Sequence, residues 1–248
     1  MTKRSGFFSA LSFLTVLPVG KTRLEPSPNA ALFFPIVGVL IGLFIFGVDQ
    51  FATDFLFPEV RGLFVVALLA VLSGGLHLDG LADSADGLLS HRSREEMLTI
   101  MHDPRIGTMG VLALVFCLTF KWVALISLSA PETKYWILAA PAIARVALVA
   151  GLVIYPHAKS EGGTHSTFYQ KGKWLLLFLA WLPFLILFLN DLGSGVAGLV
   201  VFISVFYLFN QFVVGKLGGI TGDTLGALCE IMETCIFLVG AVIMANGF

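Results

Sequence analysis

Apolar residues fill the chain in long blocks, and short polar stretches separate them. Seven blocks approach the roughly 20 residues that a helix needs to cross a hydrocarbon core. They cover residues 30–48, 62–77, 107–129, 135–155, 174–189, 195–214 and 225–246. The second and fifth are short, and the second can run on as helix into the polar motif behind it. Ahead of them, Lys3 and Arg4 precede an apolar run over 7–19, which has the outline of a signal peptide. No small-residue cleavage site follows, and Pro18 interrupts the run. Ser5, Ser9 and Ser12 share one helical face, and Phe7, Leu11 and Leu14 another. This segment is therefore expected to remain as an amphipathic helix at the membrane interface. The pattern as a whole predicts an all-α, polytopic membrane helical bundle: about seven transmembrane helices plus the N-terminal interfacial helix, in one domain over 1–248.

Composition supports lipid as the solvent. Only 12% of residues are charged and 57% are hydrophobic, against about 25% charged in a soluble domain. Mean hydropathy is +0.93. The net charge of −1 and the lack of a basic stripe exclude a nucleic-acid partner. Cys117, Cys229 and Cys235 lie in apolar stretches without metal-ligand spacing and read as core residues. The basic residues set the orientation. Lys3, Arg4, Lys21, Arg23, Arg92, Arg94, Arg105, Lys159, Lys171, Lys173 and Lys216 fall in alternate loops, whereas the other set of loops holds Arg61 and Lys134. The N-terminus and the long polar loops 78–106 and 156–173 are expected in the cytosol, and the C-terminus outside. Lys121 and Arg145 fall within spans; a lysine there can snorkel, whereas a buried guanidinium needs an anionic partner.

Two acidic motifs stand out. In the first, over 74–87, Asp79, Asp83 and Asp86 recur at i, i+4 and i+7, placing three carboxylates on one helical face. Their mutual repulsion near a bilayer calls for a cation. Hard divalent ions suit oxygen ligands, and Mg²⁺ is the usual one where phosphates complete the shell. In the second, over 218–233, Asp223, Glu230 and Glu233 recur at i, i+7 and i+10, the last two inside an apolar segment. The motifs match each other at a constant offset: Gly74-Gly75 with Gly218-Gly219, Asp79 with Asp223, Leu81 with Leu225, Asp86 with Glu230. They are expected to form two acidic helices facing one cytosolic site, with Asp79, Asp83, Asp86, Asp223, Glu230 and Glu233 as candidate metal ligands. The plainer alternatives are solvated loop acids in the first motif and a helix-capping Asp223 in the second.

With Met-His-Asp-Pro-Arg-Ile-Gly over 101–107 and Leu-Ser-Phe-Leu-Thr-Val-Leu-Pro over 11–18, these motifs resemble those of the cobalamin synthase family, the membrane adenosylcobinamide-GDP ribazoletransferases. The resemblance spans essentially the whole chain. It implies an Mg²⁺-dependent phosphotransferase of cobalamin biosynthesis in the cell inner membrane. The 3′-hydroxyl of α-ribazole, or of its 5′-phosphate, attacks the cobinamide-side phosphorus of adenosylcobinamide-GDP and GMP leaves. Phosphoryl transfer needs charge neutralisation and in-line placement of the attacking oxygen, and metals clamped by facing carboxylates would supply both. Asp83, whose counterpart in the second motif is Ala227, is the candidate base. Arg105 is a candidate phosphate grip oriented by Asp103, or else a positive-inside anchor. Arg92 and Arg94 read as solvated anchors. Candidate substrate contacts are His77, Arg145, Lys216, Thr221 and His165, the last in the small polar loop 162–167. Oligomeric state, homo-oligomer included, is left open.

Two rival classes are weighed. Prenyl and CDP-alcohol transferases also use aspartates and Mg²⁺, but with other spacings: Asp83 stands where the CDP-alcohol pattern has Ala. Secondary transporters carry inverted repeats with sites at the bilayer midplane. Here the copies are four spans apart, hence parallel and near one face.

Overall fold

The computed structural model describes residues 6–19, 27, 29–128, 134–158 and 181–245. Among them all regular elements are helical. They are α1 (Gly6–Leu14), a 3₁₀ turn (Ala30–Phe33), α2 (Phe34–Thr53), α3 (Pro58–Leu72), α4 (Leu76–Leu88), α5 (Arg94–Ile100), α6 (Thr108–Ser127), α7 (Lys134–Ile154), α8 (Phe184–Phe188), α9 (Leu192–Leu217) and α10 (Gly222–Ala245). Five are long and apolar enough to cross a membrane: Ala30–Thr53, α6, α7, α9 and α10. A sixth span arises only if α3 and α4 count together, and these meet at an 89° bend.

The expected seven spans are thus more than the described residues provide. The segment at 62–77 does not continue straight into the acidic motif. Gly74 and Gly75 adopt φ of +61° and +72°, a left-handed conformation open to glycine at little cost. The N–H of Gly75 turns back to the Ala70 carbonyl at 3.0 Å, which closes α3 and lets α4 leave at a right angle. α4 has 13 residues, about 20 Å at 1.5 Å per residue, too short to cross a membrane by itself. The block at 174–189 falls largely outside the described residues; its described part contains α8.

α7 is the central helix, buried along nearly its whole length. α2 approaches it closely at Gly38, where a Cβ would stand 2.6 Å from Ala142 Cα; small residues are what allow backbones this near in lipid. The outer faces of α6 and α9 present Val115, Phe116, Phe120, Ile203 and Leu208, as expected of lipid-facing surface. α1 is present, but its faces differ from the expectation. Ser9 is buried with Ala10 and Leu14 while Phe8 is exposed. The Ser9 hydroxyl accepts a hydrogen bond from the N–H of Ser27, which satisfies it inside.

Arg61 is also not a loop residue. It sits in the first turn of α3, fully buried, pairs with Asp49 of α2, and donates to the Leu125 carbonyl of α6 at 2.6 Å. Pairing of this kind is what makes a charge tolerable inside the bundle.

Candidate active site

The two acidic motifs meet. α4 packs against the start of α10, and Gly80 is the point of closest approach: a Cβ there would lie 2.7 Å from the Asp223 carbonyl oxygen. Across the same contact Gly226 faces the backbone of His77. The matched glycine pairs have a common structural meaning, since Gly218 ends α9 at φ +70° as Gly74 and Gly75 end α3. Each pair stops an apolar helix and starts an acidic one. Asp79 and Asp223 then fall in the first turns of α4 and α10, where the helix dipole favours a carboxylate.

A pocket opens at this contact. Phe13, Phe34, Leu76, Leu148, Leu152 and Leu225 form its apolar side; His77, Asp79 and Asp223 its polar side. Asp79 is exposed, whereas His77 is buried. Asp83, one turn further along α4, is half-buried. Burial, reinforced by the facing charges of Asp79, Asp223 and Asp86, pushes its carboxyl up to about 6. Acids gathered at the mouth of a pocket suit a hard cation. No three His, Cys, Asp or Glu side chains among the described residues already converge on one point. That arrangement fits Mg²⁺ held by one or two carboxylates and completed by substrate phosphate, and does not fit an all-protein cage.

The remaining candidates divide. Asp86 caps α6: its Oδ2 accepts from Gly107 N–H at 2.6 Å and its Oδ1 from Gly110 N–H at 2.8 Å. Thr221 caps α10, accepting from Thr224 N–H at 3.2 Å while Thr224 Oγ1 accepts from Thr221 N–H at 2.8 Å. The helix-capping role considered for Asp223 is therefore held by Thr221. Glu230 and Glu233 lie deeper in α10 and are not among the acids facing Asp83. Lys121 Nζ donates to Glu230 at 2.5 Å and to Glu233 at 2.7 Å, and Arg145 donates to Glu233 at 2.6 Å. All four are buried. Lys121 does not snorkel, and a ligand role for either glutamate would first have to break these pairs. Asp103 and Arg105 form a two-pronged ion pair, at 2.9 and 2.6 Å, on the exposed turn before α6. Lys216 ends α9 with its ammonium over the Phe212 ring at 5.2 Å. His165 lies outside the described residues.

One residue carries more than its sequence context suggested. Arg94, read as a solvated anchor, donates to the Leu217 carbonyl at 2.7 Å and to the Ala158 carbonyl. It thereby fastens α5 to the turn leading into α10, where Ile220 and Ala158 pair backbone to backbone. Its signal is the Ser93–Glu96 capping box, which marks a helix start at that residue; the carbonyl partners are distant in sequence.

Known proteins resemble this chain along nearly its whole length. The family model described as cobalamin-5-phosphate synthase matches residues 6–241. The adenosylcobinamide-GDP ribazoletransferase of Chlorobaculum tepidum is 37% identical over 253 residues, covering 98% of each chain. The protein of that name from Roseiflexus sp. is 40% identical over 233 residues, covering 90% of this chain and 84% of its own. The one from Pseudomonas syringae pv. syringae is 35% identical and covers 96% and 99%. No solved structure matches the chain. Similarity of this extent, running through both acidic motifs and the helices that join them, means that the chain belongs to the cobalamin-5-phosphate synthase family.

Proposed function

We propose that the chain is a membrane-embedded adenosylcobinamide-GDP ribazoletransferase whose reaction takes place at the α4–α10 contact, with Mg²⁺ held by Asp79 and Asp223. The observation that supports this most directly is the meeting of the matched acidic motifs beside a pocket with an apolar wall. When bound, the metal neutralises diphosphate oxygens as charge develops on them. The α-ribazole 3′-hydroxyl forms a bond to the cobinamide-side phosphorus, and the bond to GMP breaks. Asp83 is suited to take the hydroxyl proton on its carboxylate, since burial and its neighbours raise it towards the working pH. The apolar wall excludes water, which strengthens every charge contact at the site. Arg105, held by Asp103 on the exposed turn before α6, is the candidate to meet a phosphate.

The basic residues of the alternate loops support a site on the cytosolic side of the inner membrane. The decisive experiment supplies the purified protein, in lipid nanodiscs, with adenosylcobinamide-GDP, α-ribazole and Mg²⁺. GMP and a cobalamin should appear in equal amounts. Intact substrate with an active relative run in parallel would overturn the assignment.

A further inference from the structure

We infer that Lys121 is a positioning residue: acting through α6, it sets the register of α10 against α4 and so the place of Asp223 opposite Asp79 and Asp83. Three helices close a ring. α4 holds the start of α6 through Asp86, which accepts from Gly107 and Gly110. Eleven residues further along α6 than Gly110, about 16 Å at 1.5 Å per residue, Lys121 holds α10 through Glu230 and Glu233. α10 returns to α4 at Gly80, against the Asp223 backbone. Apolar helix faces in lipid tolerate small axial slips, because one methyl contact replaces another. An ammonium shared by carboxylates at 2.5 and 2.7 Å does not, because a slip of one residue, about 1.5 Å, cannot preserve both bonds. Cys117 supports the same register one turn earlier, with its sulfur 3.3 Å from Thr234 Oγ1. Arg145 takes the other oxygen of Glu233 from the α7 side. The four charges balance, so α10 is pinned from both sides without excess charge in the core.

The inference rests on the reading of the aspartates as a divalent-cation site, and its test separates the two. The variant K121M/E230Q removes one cation and one anion and keeps the Arg145–Glu233 pair. Direct Mn²⁺ binding to the substrate-free protein in nanodiscs, followed by electron paramagnetic resonance, gives the readout. With insertion and melting temperature preserved, the dissociation constant should rise about tenfold or more, as for other supports of metal ligands. Wild-type affinity in the folded double variant overturns the positioning role. If the double variant fails to insert, K121R carries the test: it keeps the charge but alters the length and shape of the head group. Weakened Mn²⁺ binding is again expected, and wild-type affinity again overturns it. Absence of Mn²⁺ binding in the wild type would defeat the aspartate reading itself, and the positioning role with it.

Discussion

Asp86 Oδ2 accepts the Gly107 N–H at 2.6 Å, so a carboxylate of the first acidic motif is also the N-terminal cap of α6. Asp79 lies on the same face of α4 but in its exposed first turn. The two aspartates should therefore respond differently to the same substitution. In metal-free protein, Asp86→Ala should cost about 1 kcal/mol of stability through loss of the cap, whereas Asp79→Ala should melt no lower than the wild type. Both should insert and both should lose nearly all turnover. Equal melting temperatures for the two metal-free variants would refute the separate role of Asp86.

Asp83 makes stability depend on pH. Its folded carboxyl is raised from an ordinary 3.8 to about 6, so the fold favours the protonated form. The associated stability is present below pH 3.8 and is lost as pH rises through about 6. Asp83→Asn, permanently neutral, should raise the melting temperature of metal-free protein at neutral pH, with the gain vanishing once the wild type is protonated. Melting curves in chelator across this range check it. A gain that persists in acid would point to packing and not to charge.

Thr221 and Asp223 stand two residues apart with separable roles. Thr221→Ala should cost about 1 kcal/mol of stability through the lost cap and leave the Mg²⁺ needed for half-maximal rate little changed. Asp223→Ser should leave the cap in place and raise that Mg²⁺ requirement, in the same way as Asp79→Asn. A Mg²⁺ titration of Asp223→Ser that overlays the wild type would leave α4 as the sole metal-binding helix.

The face of the membrane can be read at Arg92, which is exposed between α4 and α5. Cysteine placed there should resist a membrane-impermeant maleimide added to intact cells and react after permeabilisation. Labelling of intact cells would place the acidic site outside.

Arg94 holds two carbonyls from separate parts of the chain, which a lysine ammonium cannot match in a fixed planar fork. Arg94→Lys should therefore lower turnover and the melting temperature together. Unchanged values for both would show that the turn before α10 holds itself.

Much of this protein follows from its sequence alone. Long apolar blocks with few charges can only be helices in lipid, because every backbone polar group must be satisfied within its own segment. The Gly-Gly pairs and the constant spacing of the acids mark two matched helix starts, and those are local properties. What lay beyond the sequence was which charges meet. Glu230 aligns with Asp86 in the repeat, yet one pairs with Lys121 and the other caps α6. Asp49 and Arg61 lie on neighbouring helices, and Lys121 and Glu230 are 109 residues apart. Periodicity places a side chain on a face of its own helix. Only the packing of α4, α6, α7 and α10 decides what that face meets, and therefore which acids stand together at the pocket.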